Sequence, residues 1–597
     1  MPLDDHATSR RRFVAYFSSL GLSSSLLPGV LWEKLHAQEG GRADATPKRI
    51  TDEMLVAALA VAELELTAAE RAQMLSGVNS SADRYVERSQ VTIDQSIPPP
   101  MYFSPLVPGT KLDRVARPFR MSHPPTLRRP ATLEQVAFWP VQHLAQLVST
   151  KQVTSVELTE MYLARLKKYA PQLNCVVTFT DALAMAQAAQ ADKEIAAGKY
   201  RGPLHGIPWG CKDIIAVPGY PTTWGSNAFR NQMFEHEATV VRLLREAGAV
   251  LIAKLATGEM ASGEYWFGGR INNPYDLEEG ASGSSGGPAS ATSSGLVGFS
   301  IGTDTGGSVL FPATRCGAVG LRPTFGRVSR HGAMTLSWTR DRVGPICRSV
   351  EDCAIVFNVI AKPDEEDLTV MDLPFNWDAA LDVRTLRVGY LEPTGADEGR
   401  TDEWTRNDHQ TLDALRSLGV TLEPFTLPKM PLAQAGSAGS AESGAFFEEL
   451  MRHGRDEDLT NKGRRNGLRQ SRLVPAVEYL QAQRIRAMLM RQFAGVVSRF
   501  DVYLAPSNNP PLNPPGRSDG GGGVVPRSAP NLTRDHHDVS NTCALPAVSV
   551  PNGFTSNGTP TSITFHGRLY NEAGVLALAR AYQATTKWHE RHPPFAS

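Results

Sequence analysis

Two clusters of glycine and serine lie on either side of a short apolar run near the middle of the chain. The first is Gly280-Ala281-Ser282-Gly283-Ser284-Ser285-Gly286-Gly287, the second Gly302-Thr303-Asp304-Thr305-Gly306-Gly307-Ser308. Glycine weakens the interior of a helix or strand, but it lets backbone pass where a Cβ would collide, so both clusters read as turns. Leu296 to Ile301 then reads as a buried strand that ends on Gly302. Turns at strand ends are where an α/β sheet places its functional groups. Ser284 and Ser308 stand 24 positions apart, and turns of this kind can bring two serines to one substrate carbonyl.

With 597 residues, the chain is long enough for one large domain with appendages or for several domains. Its 41% hydrophobic and 20% charged content is that of a soluble globular protein. Lys plus Arg and Asp plus Glu both total 61, so no global field draws in nucleic acid or anionic lipid. Nucleic acid is not expected as a partner. The six cysteines (Cys175, Cys211, Cys316, Cys347, Cys353 and Cys543) show no CxxC spacing and read as buried thiols.

The N-terminus carries Ser9-Arg10-Arg11-Arg12-Phe13-Val14, followed by a mildly apolar run to Trp32 and a cleavage-like Leu35-His36-Ala37. Residues 1–37 therefore read as a twin-arginine signal peptide, which implies a periplasmic or secreted protein. The run is too polar and interrupted for stable membrane insertion. The alternative is a basic amphipathic helix on a cytoplasmic protein.

Residues 38–131 read as an N-terminal extension, with helices over Thr51–Leu64 and Thr67–Arg88 and then an extended proline-rich stretch to Pro130. Thr67-Ala68-Ala69-Glu70 and Thr154-Ser155-Val156-Glu157 both fit capping boxes. Residues 132–597 read as the catalytic domain, α/β in class. Glu237–Ala247 is helical, Gly248 stops it, and Val250–Ala253 is a buried strand. A second helical region covers Thr401–Phe500, and the glycine- and serine-rich Ala433–Gly444 reads as a flexible break in it. Asp501–Pro506 and Ala547–Val550 read as strands, Ser507–Pro530 as a long Pro/Gly loop, and Glu572–Trp588 as a closing helix.

A serine hydroxyl needs a nearby base before it becomes a nucleophile. Lys212 follows the small and apolar Ile207–Cys211, and burial would lower its pKa from the usual value of about 10.4. A second serine between lysine and nucleophile can pass the proton along. The backbone amides of Thr305, Gly306 and Gly307, bunched before Ser308, can form an oxyanion hole. Ser285 and Asp304 read as supporting groups that hold the hydrogen-bond geometry. Gly283–Gly287 also fits a G-x-S-x-G nucleophile elbow on Ser285, but the acidic and small residues Asp276–Ser282 do not supply the strand that motif requires. Lys254 reads as structural, Cys211 as packing, and His536-His537-Asp538 as polar surface rather than a metal site.

These motifs together resemble the amidase signature family, whose members share a Ser-cisSer-Lys triad. Position by position, the resemblance implies that Lys212 is the base, Ser284 the bridging serine with a cis peptide to Gly283, and Ser308 the acylated nucleophile. Further matching stretches are Arg270–Pro274, Cys316–Thr324, Gly326–Val328, Val343–Ile346 and Leu545–Pro551, and the likeness runs from about Trp139 to Pro594. It implies a central mixed β-sheet flanked by helices and hydrolysis of a small-molecule amide through an acyl-enzyme, with esterase activity compatible. No cofactor and no metal are expected, and a homodimer is compatible with it. The alternative within the family is an A-type subunit of a tRNA-dependent amidotransferase. Two residues depart from the pattern: Ser282 replaces a common glycine, and Leu310 stands where an arginine is common. Leu310 points to a more apolar acyl or leaving-group site.

Overall fold

The computed structural model describes residues 49–62, 64–89, 101–392, 401–436, 438–507 and 532–595, with 91, 94, 97 and 99 between the second and third of these spans. Residues 1–37, for which a signal peptide was expected, and most of the Pro/Gly loop 507–530 lie outside the described residues.

The framework is one 11-stranded mixed sheet. In chain order its strands are β1 (Val176–Phe179), β2 (Pro208–Lys212), β3 (Val250–Leu255), β4 (Phe299–Asp304), β5 (Val319–Arg322), β6 (Arg342–Cys347), β7 (Val388–Leu391), β8 (Leu422–Phe425), β9 (Val502–Pro506), β10 (Ala547–Phe554) and β11 (Pro560–Gly567). Across the sheet they run β1-β3-β2-β4-β6-β5-β10-β11-β9-β7-β8. β2 is parallel to both β3 and β4, and β6 is antiparallel to β4 and β5. All residues of β2, β3, β4 and β6 are buried, as expected for strands covered on both faces.

Local chemistry places the helices. The Thr154 capping box forms at the start of the helix Ser155–Leu173, with both reciprocal bonds present. Leu158, Tyr162 and Leu166 face inward from that helix. Thr67 and Glu70 likewise exchange bonds at the start of the helix Ala68–Ser89. The expected helix after Glu237 forms over Thr239–Glu246.

The chain divides into two compact units. The smaller contains residues 1–94 and 447–457, and among its described residues it holds the helices Asp52–Val61 and Ala68–Ser89. The larger contains residues 95–446 and 458–597, and with them the whole sheet. The proline-rich stretch belongs to the larger unit, where Ser122 donates its amide and hydroxyl to Glu351 at 2.6 Å each.

Three expectations about the fold need correction. Thr401–Phe500 is not helical throughout: β8 (Leu422–Phe425) lies within it and pairs in parallel with β7. Ala433–Gly444 is no flexible break: helices cover Leu432–Gly436 and Ala438–Phe446. Buried Glu442 and Ser443 on the second helix give that segment a packed side, which its composition hid. His536 and His537 are not polar surface, being only 1% and 6% exposed in the helix Leu532–Thr542. His536 meets the ring of His566 edge-on at 4.6 Å, and His537 lies 4.4 Å from the ring of Phe311. The six cysteines are free and buried. Among the described residues no helix is long and apolar enough to cross a membrane.

Candidate active site

The parallel pairing of β2 with β4 sets Cys211 beside Ile301. Lys212, the last residue of β2, therefore emerges next to Thr303 and Asp304 at the same end of the sheet. Its Nζ donates to Ser284 Oγ at 2.8 Å, Ser285 Oγ at 2.9 Å and Thr303 Oγ1 at 2.8 Å. The lysine is wholly buried, and desolvation pulls it down to about 7 against the opposing pull of Asp304 and Asp341. A lysine in that range is neutral often enough at pH 7 to accept a proton.

Lys254 is as buried as Lys212 but differently placed. Its Nζ lies 2.8 Å from Asp213 Oδ1, and it also donates to the Pro221 carbonyl. That pair gives Lys254 a structural role and fixes the backbone immediately after Lys212.

The Gly283–Ser284 peptide is cis. A Cβ on Gly283 would fall 1.8 Å from the Gly263 carbonyl oxygen, so only glycine fits there. Ser285 leads into the helix Gly286–Ser293. Its hydroxyl accepts from the Thr303 amide at 3.2 Å and donates to the Thr303 carbonyl at 3.1 Å. Its amide donates to the Ser308 carbonyl at 3.2 Å, tying the two clusters together. The strand Asp276–Gly280 does precede the first cluster, but it pairs only with Asn272–Asn273, outside the main sheet. Ser285 is thus held by Lys212 and Thr303, and the nucleophile elbow is not formed.

Asp304 anchors the second turn. One carboxylate oxygen accepts from the Gly307 amide at 2.7 Å, the other from the amides of Val309 at 2.9 Å and Leu310 at 3.4 Å. Burial opposes ionisation of Asp304, but Arg322, His537, Arg342 and the Val309 amide hold its pKa below the usual carboxylate value. Ser308 is half-buried, and its hydroxyl has no hydrogen-bond partner among the described residues. The amides of Thr305, Gly306 and Ser308 likewise have no acceptor among them, whereas the Gly307 amide is already committed to Asp304. Gly307 sits at φ +109°, and a Cβ there would meet Phe311 at 2.3 Å.

A small cavity opens beside Thr303 and Thr305, walled by Ile214, Ala261, Met334 and Leu336. The charged residues at its edge are engaged: Arg330 with Asp367, Arg342 with Asn541, and Asp341 with the Thr305 hydroxyl at 2.6 Å. Leu310 is buried in the helix Leu310–Cys316 and brings no charge to the site.

Thr303 and Asp341 escaped the sequence reading. Thr303 lies inside the second cluster, and its place at the end of a strand pairing with Lys212's strand was the available signal. Asp341 precedes Arg342–Cys347 by one residue, and no spacing links it to Ser308.

The family model for amidases matches residues 157–576. The chain belongs to the amidase signature family. It is 34% identical over 480 residues to the A-type subunit of the glutamyl-tRNA(Gln) amidotransferase of Methylococcus capsulatus, covering 75% of this chain and 97% of that one. The corresponding subunit from Roseiflexus sp. is 35% identical over 476 residues, covering 74% of this chain and 95% of that one. Among solved structures, the native peptide amidase from Stenotrophomonas maltophilia superposes with a TM-score of 0.66 at 27% identity, over 77% of this chain and 99% of that one. This amidase signature chain is therefore an amidase-type enzyme acting on C–N bonds.

Proposed function

We propose that this chain is a stand-alone hydrolase of neutral carboxylic amides that works through an acyl-enzyme on Ser308. The observation that carries the reading is Lys212, buried, lowered to about 7 and bonded to Ser284 beside the Ser308 turn. Ser308 Oγ attacks the amide carbon and gives its proton to Ser284, which passes its own to Lys212 Nζ. The amides of Thr305, Gly306 and Ser308 receive the developing oxyanion. As the tetrahedral intermediate collapses, the proton returns from Lys212 through Ser284 to the leaving nitrogen. Water then attacks the acyl-enzyme by the same route, and Ser308 is restored. The engaged charges around the cavity and the buried Leu310 favour an uncharged acyl group. Ester cleavage follows from the same chemistry.

A second reading is an A-type subunit of a tRNA-dependent amidotransferase, and the names of the curated relatives favour it. It places the chain in the cytoplasm with partner subunits, whereas export rests on residues 1–37. Purified chain assayed alone against aryl, alkyl and peptide amides separates the two. Turnover of neutral amides without partners supports the hydrolase. Activity confined to glutamine, and raised by partner subunits, overturns it.

A further inference from the structure

The two halves of the site are held differently. Lys212 and Thr303 belong to paired strands of the sheet. Thr305 and Gly306 lie beyond the end of β4, where Asn541 Nδ2 donates to the Thr305 carbonyl at 2.7 Å and Asp341 holds the Thr305 hydroxyl. One oxygen of Asp341 takes the Thr305 hydroxyl, the other the amides of Leu336 and Ser337 at 2.7 and 3.0 Å. Ser337–Asp341 is itself a tight turn, with the amides of Arg340 and Asp341 returning to the Ser337 carbonyl.

That turn is clamped from its other side by a buried carboxylate. Glu442, on the helix Ala438–Phe446, accepts from the Ser337 hydroxyl at 2.6 Å, the Thr339 amide at 3.1 Å and the Thr339 hydroxyl at 2.9 Å. Tyr479 Oη and Gln483 Nε2, on the helix Ala476–Val497, reach the same carboxylate at 3.1 and 3.4 Å. Arg486 from that helix adds bonds to the Thr339 carbonyl and hydroxyl at 3.0 Å. Arg330 holds the Trp338 carbonyl at 2.6 Å. Glu442 is the acceptor that the Ser337 hydroxyl and both Thr339 donors converge on, and a buried carboxyl group satisfied this fully gives the turn one geometry.

We propose that Glu442 is a positioning residue for catalysis: through Ser337, Thr339 and Asp341 it fixes Thr305 and hence the amides that receive the oxyanion. This rests on the reading of residues 305–308 as the oxyanion site. Oxyanion stabilisation depends on donors placed to a fraction of an ångström, so a loosened turn lowers kcat more than it raises KM. Glu442→Gln keeps the shape but presents an amide to donors that need an acceptor.

The test is a kinetic cycle on the full chain with Glu442→Gln, Thr305→Val and the double variant, using a neutral amide that the wild type cleaves. Thr305→Val removes the hydroxyl that Asp341 grips and keeps the backbone amide. Glu442→Gln alone should lower kcat roughly tenfold with KM changed by less than about twofold. In the Thr305→Val background it should change kcat by less than about twofold, because the link is already cut. Ser337→Ala, which leaves Glu442 in place, should lower kcat in the same direction and carries the test if Glu442→Gln does not fold. Equal fold-losses from Glu442→Gln in both backgrounds would overturn the proposal, as would unchanged kcat in Glu442→Gln and Ser337→Ala. A wild type that cleaves no amide or ester, by contrast, refutes the hydrolase reading itself.

Discussion

At the residue scale, two buried lysines on neighbouring strands show how environment assigns a role. Lys254 faces a carboxylate at 2.8 Å and stays paired with it. Lys212 faces three hydroxyls, which accept its protons without compensating its charge, and burial lowers it to about 7. In the proposed relay Lys212 works as the neutral amine. Activity is therefore expected to be low where the lysine is protonated and to rise with pH through an apparent pKa near 7, as read from kcat/KM for a neutral amide. A profile flat from about pH 5.5 to about pH 8.5 would remove Lys212 as the base. Thr303→Val takes away one acceptor from the ammonium, which disfavours the charged form. The inflection should then move to lower pH, measured in the same assay.

At the element scale, the site is a product of strand ends. β2 and β4 run parallel, so the residues that end them meet, and the glycine clusters turn back over that meeting point. Gly307→Ala would place a Cβ 2.3 Å from Phe311 in backbone of positive φ. Soluble Gly307→Ala protein should lose more than about tenfold in kcat, because the turn proposed to bind the oxyanion must shift. Thr154→Ala, far from the chemistry, should cost about 1 kcal/mol through its lost cap and lower the unfolding midpoint with kcat unchanged.

Both capping boxes and the Lys212–Ser284 link were legible because each is written in nearby residues or in one motif set; the strand expected over Leu296–Ile301 was legible only in its second half, since β4 begins at Phe299 and runs on through Gly302 to Asp304. The clamp on Thr305 was not, since Asp341 reaches Thr305 and Glu442 reaches Ser337 across separations that no local pattern records. Ala433–Gly444 misled because small residues that pack closely have the same composition as small residues that turn freely. His536-His537 misled because it stands beside a glycine-rich stretch, while its rings pack among His566 and Phe311.

At the scale of the whole molecule, the 11-stranded sheet and its helices carry the chemistry, and residues 1–37 carry a separate question of address. A fusion of residues 1–40 to a reporter that registers only folded export should lose its signal when Arg10 and Arg11 become lysine. An unchanged signal would contradict the twin-arginine reading and shift weight to the cytoplasm. The central claim is that Ser308 is the nucleophile of a Lys212–Ser284 relay. Its most direct test is labelling of the full chain with a serine-directed fluorophosphonate, read by intact mass and peptide mapping. The expected result is one adduct, on Ser308, that is absent in Ser308→Ala and slowed in Lys212→Ala. Equal labelling of wild type and Ser308→Ala would contradict it.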